Sequence, residues 1–204
     1  MNVFVTGIST EVGKTITSAI IVEALEADYW KPVQSGDLEF SDTDRVKALI
    51  SNSKSVFHPN AYALKTPMSP HAAAQIDGIT ITLDQIQRPQ TNNHLVIEGA
   101  GGLLVPLNNK DTILDLIQPD YKVIVVSRHY LGSINHSLLT INTLIEKGLT
   151  VGIIFSGAAH PSTEQIILEK TKIPCLGRID EENNFNKTVI TSYAAQFRTK
   201  LHSF

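Results

Sequence analysis

The fold is decided by residues 3–20, which read VFVTGISTEVGKTITSAI. The apolar run Val3-Phe4-Val5 predicts a buried strand, and apolar residues at helical spacing predict a helix from Lys14 to Ala27. Between them lies a glycine-rich turn, GISTEVGKT (residues 7–15), in the strand-to-helix context of a phosphate-binding P-loop. The backbone N–H groups of such a turn and the positive end of the helix dipole bind phosphate oxygens. We therefore predict that a nucleoside triphosphate binds here.

The P-loop interpretation assigns chemistry to two adjacent residues. Lys14 would reach the β- and γ-phosphates, and the Thr15 hydroxyl would coordinate Mg²⁺. The general motif has four residues between its glycines, whereas five residues separate Gly7 from Gly13. The alternative is a glycine-rich turn that ends in an exposed lysine. The strand before the turn and the helix after it favour the phosphate loop.

Further apolar runs extend this pattern into an α/β fold. Leu95–Ile97, Val123–Val126 and Val151–Phe155 lack polar alternation, which is typical of strands in a parallel sheet covered on both faces. Another helix is predicted from Ser137 to Lys147, where a glycine follows. The alternation predicts a P-loop NTPase-type, doubly wound, mostly parallel sheet with helices on both faces. Since no linker interrupts the chain, we expect residues 1–204 to form a single domain.

The composition argues against several classes of function. The 204 residues carry 17 basic and 20 acidic side chains, and no basic stripe marks a nucleic-acid-binding face. No apolar run approaches the roughly 18 residues that span a bilayer, and the N-terminus lacks a signal-peptide pattern. The single cysteine, Cys175, excludes an internal disulfide, and no Cys/His cluster has zinc spacing. We expect a cytoplasmic protein with no nucleic-acid or membrane partner.

A second glycine-rich segment supplies an acidic residue. The sequence LVIEGAGG (residues 95–102) indicates a buried strand that ends in Glu98. An acid at the end of a strand beside the P-loop strand resembles a Walker B arrangement, in which the acid holds Mg²⁺ directly or through water. Acids also occur at strand ends ahead of flexible turns without any metal. The P-loop in the same chain favours the metal role.

Six blocks together make the chain resemble the dethiobiotin synthetase family. In order, they are GISTEVGKT (7–15), WKPVQSG (30–36), SDTD (41–44), TPMSPH (66–71), VIEGAGGLLVP (96–106) and LGSINHSLLT (131–140). The family's phosphate loop has the same extra residue between its glycines. The resemblance implies an ATP- and Mg²⁺-dependent cyclo-ligase of biotin synthesis that converts 7,8-diaminopelargonate and CO₂ to dethiobiotin. It further implies a carbamate, a carbamic–phosphoric anhydride, and ring closure by the second amine.

The resemblance also assigns catalytic and binding residues. Lys14 and Lys31 would flank the transferring phosphoryl group and the carbamate, with Thr10 as a third catalytic residue. The substrate's nitrogens and carbamate oxygens would contact Thr10, Lys31 and Ser35. Without the resemblance, Lys31 would be interpreted as a surface lysine and the two hydroxyls as ordinary loop residues. The implied nucleotide-binding residues are Glu11, Val12, Gly13, Lys14, Thr15, Ile16, Asp44, Glu98, Gly99, Ala100 and Gly101.

The resemblance implies three protein ligands for Mg²⁺, namely Thr15, Asp44 and Glu98. Asp42 competes with Asp44, because only one residue separates them. We favour Asp44 because a helix is predicted from Arg45 to Ile50, which would make Asp42 the capping residue nearby.

The block LGSINHSLLT resembles the part of the family that binds the substrate's carboxylate tail across a subunit boundary. The implied contacts are Gly132, Ser133, Ile134 and Asn135. They would lead into a helix that starts near His136, whose free backbone N–H groups suit a carboxylate. Each site of a homodimer would then be completed by the neighbouring subunit. We interpret His136 as a capping or core-packing residue and His71 as a structural loop residue rather than as bases.

Two segments depart from the family pattern. Ser156-Gly157 stand where the family usually has an asparagine that contacts the nucleotide base, and residues 178–181 lack the proline common in a second segment near the base. Losing an amide that hydrogen-bonds the base edge weakens base discrimination. We therefore predict relaxed nucleotide use, with similar kcat/KM for ATP, GTP and CTP.

The C-terminal segment and the fold leave alternatives open. Apolar residues at helical spacing after Thr188 predict a helix that packs on the sheet, although membrane-associating ATPases of related fold use such helices as anchors.

A partitioning ATPase is the rival class of function, but residues 6–9 lack the additional lysine that those proteins usually carry. An amide-forming ligase of cobalamin synthesis is a nearer alternative. We do not expect its glutamine-using domain in 204 residues.

Overall fold

The structure is a computed structural model that describes all 204 residues. The strands are β1 (Asn2–Gly7), β2 (Asp28–Trp30), β3 (Val33–Ser35), β4 (Phe57–His58), β5 (Tyr62–Leu64), β6 (Leu95–Gly102), β7 (Tyr121–Arg128), β8 (Thr150–Ser156) and β9 (Cys175–Ile179). The helices are α1 (Lys14–Leu25), α2 (Asp42–Leu49), α3 (Pro70–Asp77), α4 (Ser133–Glu146), α5 (Pro161–Thr171) and α6 (Lys187–Ser203). Short 3₁₀ turns cover Leu83–Gln85 and Ile113–Leu116.

Seven strands form one parallel sheet in the order β4-β2-β6-β1-β7-β8-β9. The strands β3 and β5 pair separately, also in parallel. Because β1 lies between β6 and β7, the chain is wound to both sides of β1. In such sheets a crevice for ligands opens at the carboxyl ends of the strands, where the strand order reverses. The P-loop begins at this point.

Helices cover both faces of the sheet. The chain passes through α1 from β1 towards β2, whereas α4 and α5 lead in the other direction, from β7 through β8 to β9. Right-handed crossovers in opposite directions place these helices on opposite faces. Accordingly, α1 packs against α6, and α4 packs against α5. The prediction of a doubly wound parallel sheet is confirmed, and 46 buried apolar residues form one contiguous core.

Three helix boundaries differ from the predicted ones. The helix α1 ends at Leu25, before Ala27, because Glu26 adopts a left-handed conformation with φ of 50°. The helix α4 begins at Ser133, ahead of His136, because Gly132 at φ of 104° turns the chain directly into the helix. The helix α2 begins at Asp42 and not at Arg45. The four predicted strands all lie within observed strands.

The amphipathic C-terminal segment packs against the rest of the molecule. The helix α6 buries Ile190, Tyr193, Phe197 and Leu201. A Cβ atom on Gly177 of β9 would lie only 2.3 Å from the Phe197 ring, so α6 approaches the strand closely at this glycine. The prediction that this helix packs on the sheet is confirmed, because its apolar face is buried. None of the helices combines the length and apolar character needed to cross a bilayer.

Candidate active site

Two glycines shape the P-loop, Gly7 through close packing and Gly13 through its backbone conformation. A side chain on Gly7 would place its Cβ 2.6 Å from the Val12 side chain and 2.8 Å from the Ser9 carbonyl oxygen. Gly13, which precedes α1, has φ of 94°, a conformation that other residues rarely adopt. Tight turns of this kind direct successive backbone N–H groups towards an anion. The turn therefore has the geometry of a phosphate site at the start of a helix.

The loop is fixed to two neighbouring strands. Ile8 donates its N–H to the Val126 carbonyl of β7 at 3.1 Å. Ser156, at the end of β8, is buried and donates its hydroxyl to the Val12 carbonyl at 2.6 Å. These bonds hold the loop in one conformation before any ligand arrives, which lowers the entropic cost of binding.

Lys14 is the first residue of α1 and lies over the loop. Its ammonium group donates to the Ser9 carbonyl at 3.1 Å, and the residue is buried. Burial, together with the nearby charge of Lys31, lowers the pKa of Lys14 from 10.5 to about 8. An anion bound between the two ammonium groups would raise that pKa again, because opposite charge favours the protonated form. The position is thus suited to a polyphosphate.

Four side chains from separate parts of the chain converge beside Lys14. The Lys31 ammonium lies 2.7 Å from Asp42 Oδ2 and 3.0 Å from Glu98 Oε1. The Thr15 hydroxyl lies 3.0 Å from Glu98 Oε1 and 3.2 Å from Asp42 Oδ1. Only 4 % of Lys31 and 1 % of Glu98 is exposed. The interpretation of Lys31 as a surface lysine is therefore wrong.

The charges of this cluster stabilise one another. Burial alone would lower the pKa of Lys31, but Glu98 and Asp42 outweigh burial and raise that pKa above its ordinary value. Burial would raise the pKa of Asp42, but Lys31 and the Thr15 hydroxyl hold it below 3.8. Burial and the charge of Glu98 raise the pKa of Tyr29 well above 10, so its hydroxyl stays protonated. Lys31 is accordingly favoured in its protonated, cationic form beside two acidic side chains.

Asp44 does not reach this cluster. Its carboxylate accepts hydrogen bonds from the Ser41 N–H at 2.9 Å and the Ser41 hydroxyl at 2.6 Å, and its own N–H donates to the Ser41 hydroxyl at 3.3 Å. This reciprocal capping box makes Ser41 the N-cap of α2 and places Asp42 at the first helical position. The choice of Asp44 over Asp42 is therefore contradicted by the geometry. Asp42 faces Thr15, and the cap turns Asp44 away.

The oxygen atoms of Thr15, Asp42 and Glu98 fit a divalent cation. The Thr15 hydroxyl carries one hydrogen, yet it lies within hydrogen-bond distance of two carboxylates. Octahedral Mg²⁺ with ligands at roughly 2.0–2.1 Å places neighbouring oxygens about 2.9 Å apart. The observed separations of 3.0 and 3.2 Å are close to that spacing. Hard oxygen donors of this kind are also the ligands that Mg²⁺ prefers.

An open cleft of about 1490 Å³ runs along the carboxyl edge of the sheet and includes the P-loop and the cluster. Thr10 lines the cleft at the exposed tip of the loop. Ser35, at the end of β3, lines it near Lys31, and the buried Ser35 hydroxyl has no hydrogen-bond partner. A buried hydroxyl normally has a partner, so Ser35 offers a hydrogen-bonding group to a ligand in the cleft.

The opposite end of the cleft lies beyond β8 and β9. Arg128 pairs there with Glu181 at 3.0 Å, and both side chains are largely exposed. Arg178 donates to Glu164 at 2.7 Å and to the Gly157 carbonyl at 2.6 Å. Because Lys31, Asp42 and Glu98 lie on the other side of the P-loop, the nucleoside part of a bound triphosphate would extend towards this end.

The start of α4 presents backbone donors outside the cleft. The structure places Gly132, Ser133, Ile134 and Asn135 at this helix start, but they do not line the cleft of their own chain. The N–H groups of Ile134 and Asn135 are bonded to no carbonyl of the chain. His136 is exposed, not core-packed, and its Nδ1 lies 2.8 Å from the Tyr130 hydroxyl. His71 lies in the first turn of α3 and pairs with Ser69.

Known proteins similar to this chain agree with one another. A family model described as an AAA domain matches residues 1–188. An ATP-dependent dethiobiotin synthetase of Christiangramia forsetii is 59% identical over 97% of this chain and 96% of the relative. The synthetase of the same name from Cytophaga hutchinsonii is 50% identical over 95% of this chain and 95% of the relative. That from Chlamydia pneumoniae is 41% identical over 96% of this chain and 89% of the relative.

The chain belongs to the dethiobiotin synthetase family. The predictions of this family, of nucleotide binding and of a ligase that forms C–N bonds in biotin biosynthesis are thereby confirmed.

Solved structures show the same fold. A plasmid partition protein of Borrelia burgdorferi bound to AMPPNP has a TM-score of 0.62 at 16% identity, covering 100% of this chain and 98% of its own. The cell division ATPase MinD of Pyrococcus furiosus has a TM-score of 0.59 at 11% identity, covering 98% and 99%.

The structure brings some of the predicted site residues together and separates others. Lys14, Thr15, Lys31 and Glu98 meet in one cluster, and Thr10 and Ser35 line the adjoining cleft. The same cleft is also lined by Glu11, Gly13, Ile16, Ala100 and Gly101. Val12 and Gly99 do not line it and are packed against other side chains. The sequence favours Asp44 over Asp42 as a metal ligand and gives no signal for Tyr29 beyond its place in an apolar-aromatic stretch. The S-x-x-D pattern of a capping box, Ser41 to Asp44, was the local signal that Asp44 is engaged in a cap.

Proposed function

We propose that this protein closes a cyclic urea from 7,8-diaminopelargonate and CO₂ in a reaction that depends on ATP and Mg²⁺. One amine nitrogen attacks CO₂ and forms a carbamate. A carbamate oxygen attacks the γ-phosphorus, and the bond to ADP breaks, which leaves a carbamic–phosphoric anhydride. The second amine attacks the carbamoyl carbon and expels phosphate, while the amine protons pass to solvent. The product is dethiobiotin.

The buried cluster around Lys31 is the observation that carries this proposal. Phosphoryl transfer requires positioning and charge neutralisation more than covalent chemistry from the protein. Every species after the first step is anionic, and Lys14 and Lys31 supply two buried cations at one end of the P-loop. Pre-oriented charges in a water-poor site stabilise developing charge far better than water does. Lys14 is assigned to the phosphates and Lys31 to the carbamate and the transferring phosphoryl group.

The remaining groups around the cluster have supporting roles in this proposal. The P-loop from Glu11 to Ile16 binds the triphosphate through its backbone. Thr10 and Ser35 hydrogen-bond the substrate's nitrogens and carbamate oxygens, and the partnerless Ser35 hydroxyl supports this role. Mg²⁺ held by Thr15, Asp42 and Glu98 would neutralise charge on the β- and γ-phosphate oxygens. Asp42 replaces Asp44 in this ligand set because of its contact with Thr15.

The substrate's carboxylate tail is assigned to the start of α4 in a second copy of the chain. The free N–H groups of Ile134 and Asn135 suit a carboxylate, and these residues do not line the cleft of their own chain. Exposed apolar side chains lie at the same helix start, with Leu131 fully exposed and Ile134 37 % exposed. Apolar exposure of this kind around one helix supports a homodimer in which each subunit completes the other's site.

The test is phosphate release by the purified protein with ATP, Mg²⁺ and bicarbonate, with and without 7,8-diaminopelargonate. We expect release that depends on the diamine and a product with the mass of dethiobiotin. Lys31→Met should lower kcat by about 100-fold or more, because a buried charge opposite the reacting anion is lost. Lys54→Met, which removes a lysine exposed on the surface, is the matched control. Nucleotide binding without any dependence on the diamine would overturn the proposed substrate and leave the phosphate site intact.

A further inference from the structure

Tyr29 lies directly behind Glu98 in the core of the sheet. It is the middle residue of β2 and precedes Lys31 by two positions, and both side chains donate hydrogen bonds to Glu98. Tyr29 is completely buried, and the centroid of its ring lies 5.9 Å from the centroid of the Phe57 ring. The only hydrogen bond of its hydroxyl is the one it donates to Glu98 Oε2 at 2.9 Å.

This bond gives the two oxygens of Glu98 different surroundings. Oε1 faces the cluster, where Thr15 and Lys31 each lie 3.0 Å away. Oε2 faces the core, where Tyr29 is its sole partner. A carboxylate that is 1 % exposed pays a large desolvation cost unless both oxygens are hydrogen-bonded. The Tyr29 hydroxyl satisfies the inner oxygen and thereby fixes the rotation of the carboxylate plane.

We infer that Tyr29 is a positioning residue that presents Glu98 Oε1, and not Oε2, to the Mg²⁺ and phosphate side of the cluster. The inference rests on the proposed role of Glu98 as a metal ligand and adds the group that orients it. Hydrogen-bond partners behind a metal ligand fix its orientation, and their removal commonly costs 10–100-fold in metal affinity or activity. Phenylalanine would fill the same volume among the apolar neighbours, so the hydroxyl is what the inference concerns.

The substitution Tyr29→Phe removes only that hydroxyl. The readout is the affinity of Mn²⁺ for the complex of the protein with AMPPNP, measured by electron paramagnetic resonance. We expect Tyr29→Phe to weaken Mn²⁺ binding by about 10-fold and to lower kcat, with the KM for ATP at saturating Mg²⁺ changed by less than about threefold. Tyr121→Phe is the matched control, because Tyr121 is also buried but lies at the opposite, amino end of the sheet. Its Mn²⁺ affinity should stay within about twofold of that of the wild type.

A double-mutant cycle with Glu98→Ala separates this inference from the proposed function. If Tyr29 acts through Glu98, then adding Tyr29→Phe to Glu98→Ala should weaken Mn²⁺ binding by less than about a further twofold. Equal Mn²⁺ affinities for Tyr29→Phe and Tyr121→Phe, with Glu98→Ala clearly weakened, would overturn the role of Tyr29 alone. Wild-type Mn²⁺ affinity in Glu98→Ala would overturn the metal assignment itself. Thermal unfolding of every variant, without nucleotide, confirms that each is folded at the assay temperature.

Discussion

Two carboxylates near the start of α2 have different contacts, although only Thr43 lies between them. Asp42 faces Thr15 and Lys31, whereas both hydrogen-bonding partners of the Asp44 side chain are groups of Ser41. Asp42→Ala should lower kcat by at least about 10-fold and raise the Mg²⁺ requirement. Asp44→Ala should cost about 1 kcal/mol of stability through the lost cap, with kcat within about twofold of the wild type. Steady-state kinetics over a range of Mg²⁺ concentrations and thermal unfolding measure both effects. The opposite ranking of the two kcat values would restore Asp44 to the site.

How far the sequence predicts a site residue depends on how local its environment is. Lys14 and Thr15 could be assigned because the turn that positions them adjoins them in the chain. Asp42 contacts Thr15, which lies 27 positions away in the chain, and Tyr29 contacts Glu98, which lies 69 positions away. Such contacts depend on how distant elements pack, and single-sequence patterns do not encode that packing directly.

The same distinction holds for the secondary-structure elements. The long central strands each contain an apolar run without polar alternation, because both faces of the sheet are covered, and these runs predict the strands. The sequence does not predict the short strands β2 to β5, because a run of two or three residues is too short to show a periodic pattern. The start of α4 was misplaced because a single glycine at positive φ replaces a capping side chain. Element type was therefore predictable where burial is uniform, and boundaries were not.

Asp28 holds the strand that carries Tyr29 in place. Its buried carboxylate accepts hydrogen bonds from the Val56 N–H at 3.0 Å and from the side chains of Thr91 and Asn93 at 2.6 and 3.1 Å. It therefore joins β2 to the segments that precede β4 and β6. Asp28→Ala should destabilise the protein by about 2 kcal/mol at pH 7, because buried donors lose their acceptor. Urea unfolding measures this loss, and Glu169→Ala, which removes an exposed carboxylate from α5, should change stability by less than about 0.5 kcal/mol.

The stabilisation by Asp28 should depend on pH. Burial alone would raise the pKa of Asp28, but the hydrogen bonds from Thr91, Val56, Asn93 and His58 outweigh it and lower the pKa below 3.8. Because the pKa is lower in the folded protein than in the unfolded chain, this stabilisation is present above about pH 4 and is lost as the pH falls through the folded value. The difference in unfolding free energy between wild type and Asp28→Ala should therefore shrink in acid. A difference that stays constant or grows below pH 4 would contradict the assignment.

At the scale of the whole molecule, the proposed homodimer places a testable demand on Leu131. This residue is fully exposed next to the free N–H groups at the start of α4. Leu131→Glu should give a monomer in sedimentation velocity. It should also raise the KM for the diamine, because the backbone N–H groups of the partner subunit no longer bind the carboxylate tail of the substrate. Val56→Glu is the control, since Val56 is an apolar residue with 53 % exposure at the β4 edge of the sheet. A wild-type protein that sediments as a monomer yet turns over normally would rule out the shared site.

The cleft as a whole also bears on which nucleotide the enzyme uses. The triphosphate is held by the P-loop, whereas the base would extend towards the end of the cleft beyond β8 and β9. At the end of β8, the Ser156 hydroxyl is already bonded to the Val12 carbonyl, so it is not available to the edge of a base. Arg128 and Glu181 are largely exposed and paired with each other, which leaves them open to solvent rather than fixed for one base. We therefore expect phosphate contacts, which are common to all nucleotides, to dominate binding.

We accordingly expect kcat/KM values for ATP, GTP and CTP to lie within about 10-fold of one another, since base discrimination of 10⁴–10⁵ requires buried polar groups matched to one base. Phosphate release with the diamine present, measured for each nucleotide at fixed Mg²⁺, gives the three values. Asn183 is an amide side chain that lines this end of the cleft, so Asn183→Ala is the informative variant. If the wild type strongly prefers ATP and Asn183→Ala loses that preference, then Asn183 selects the base and the expectation of relaxed use is wrong. If both proteins use the three nucleotides alike, then selection for the triphosphate resides in the P-loop alone.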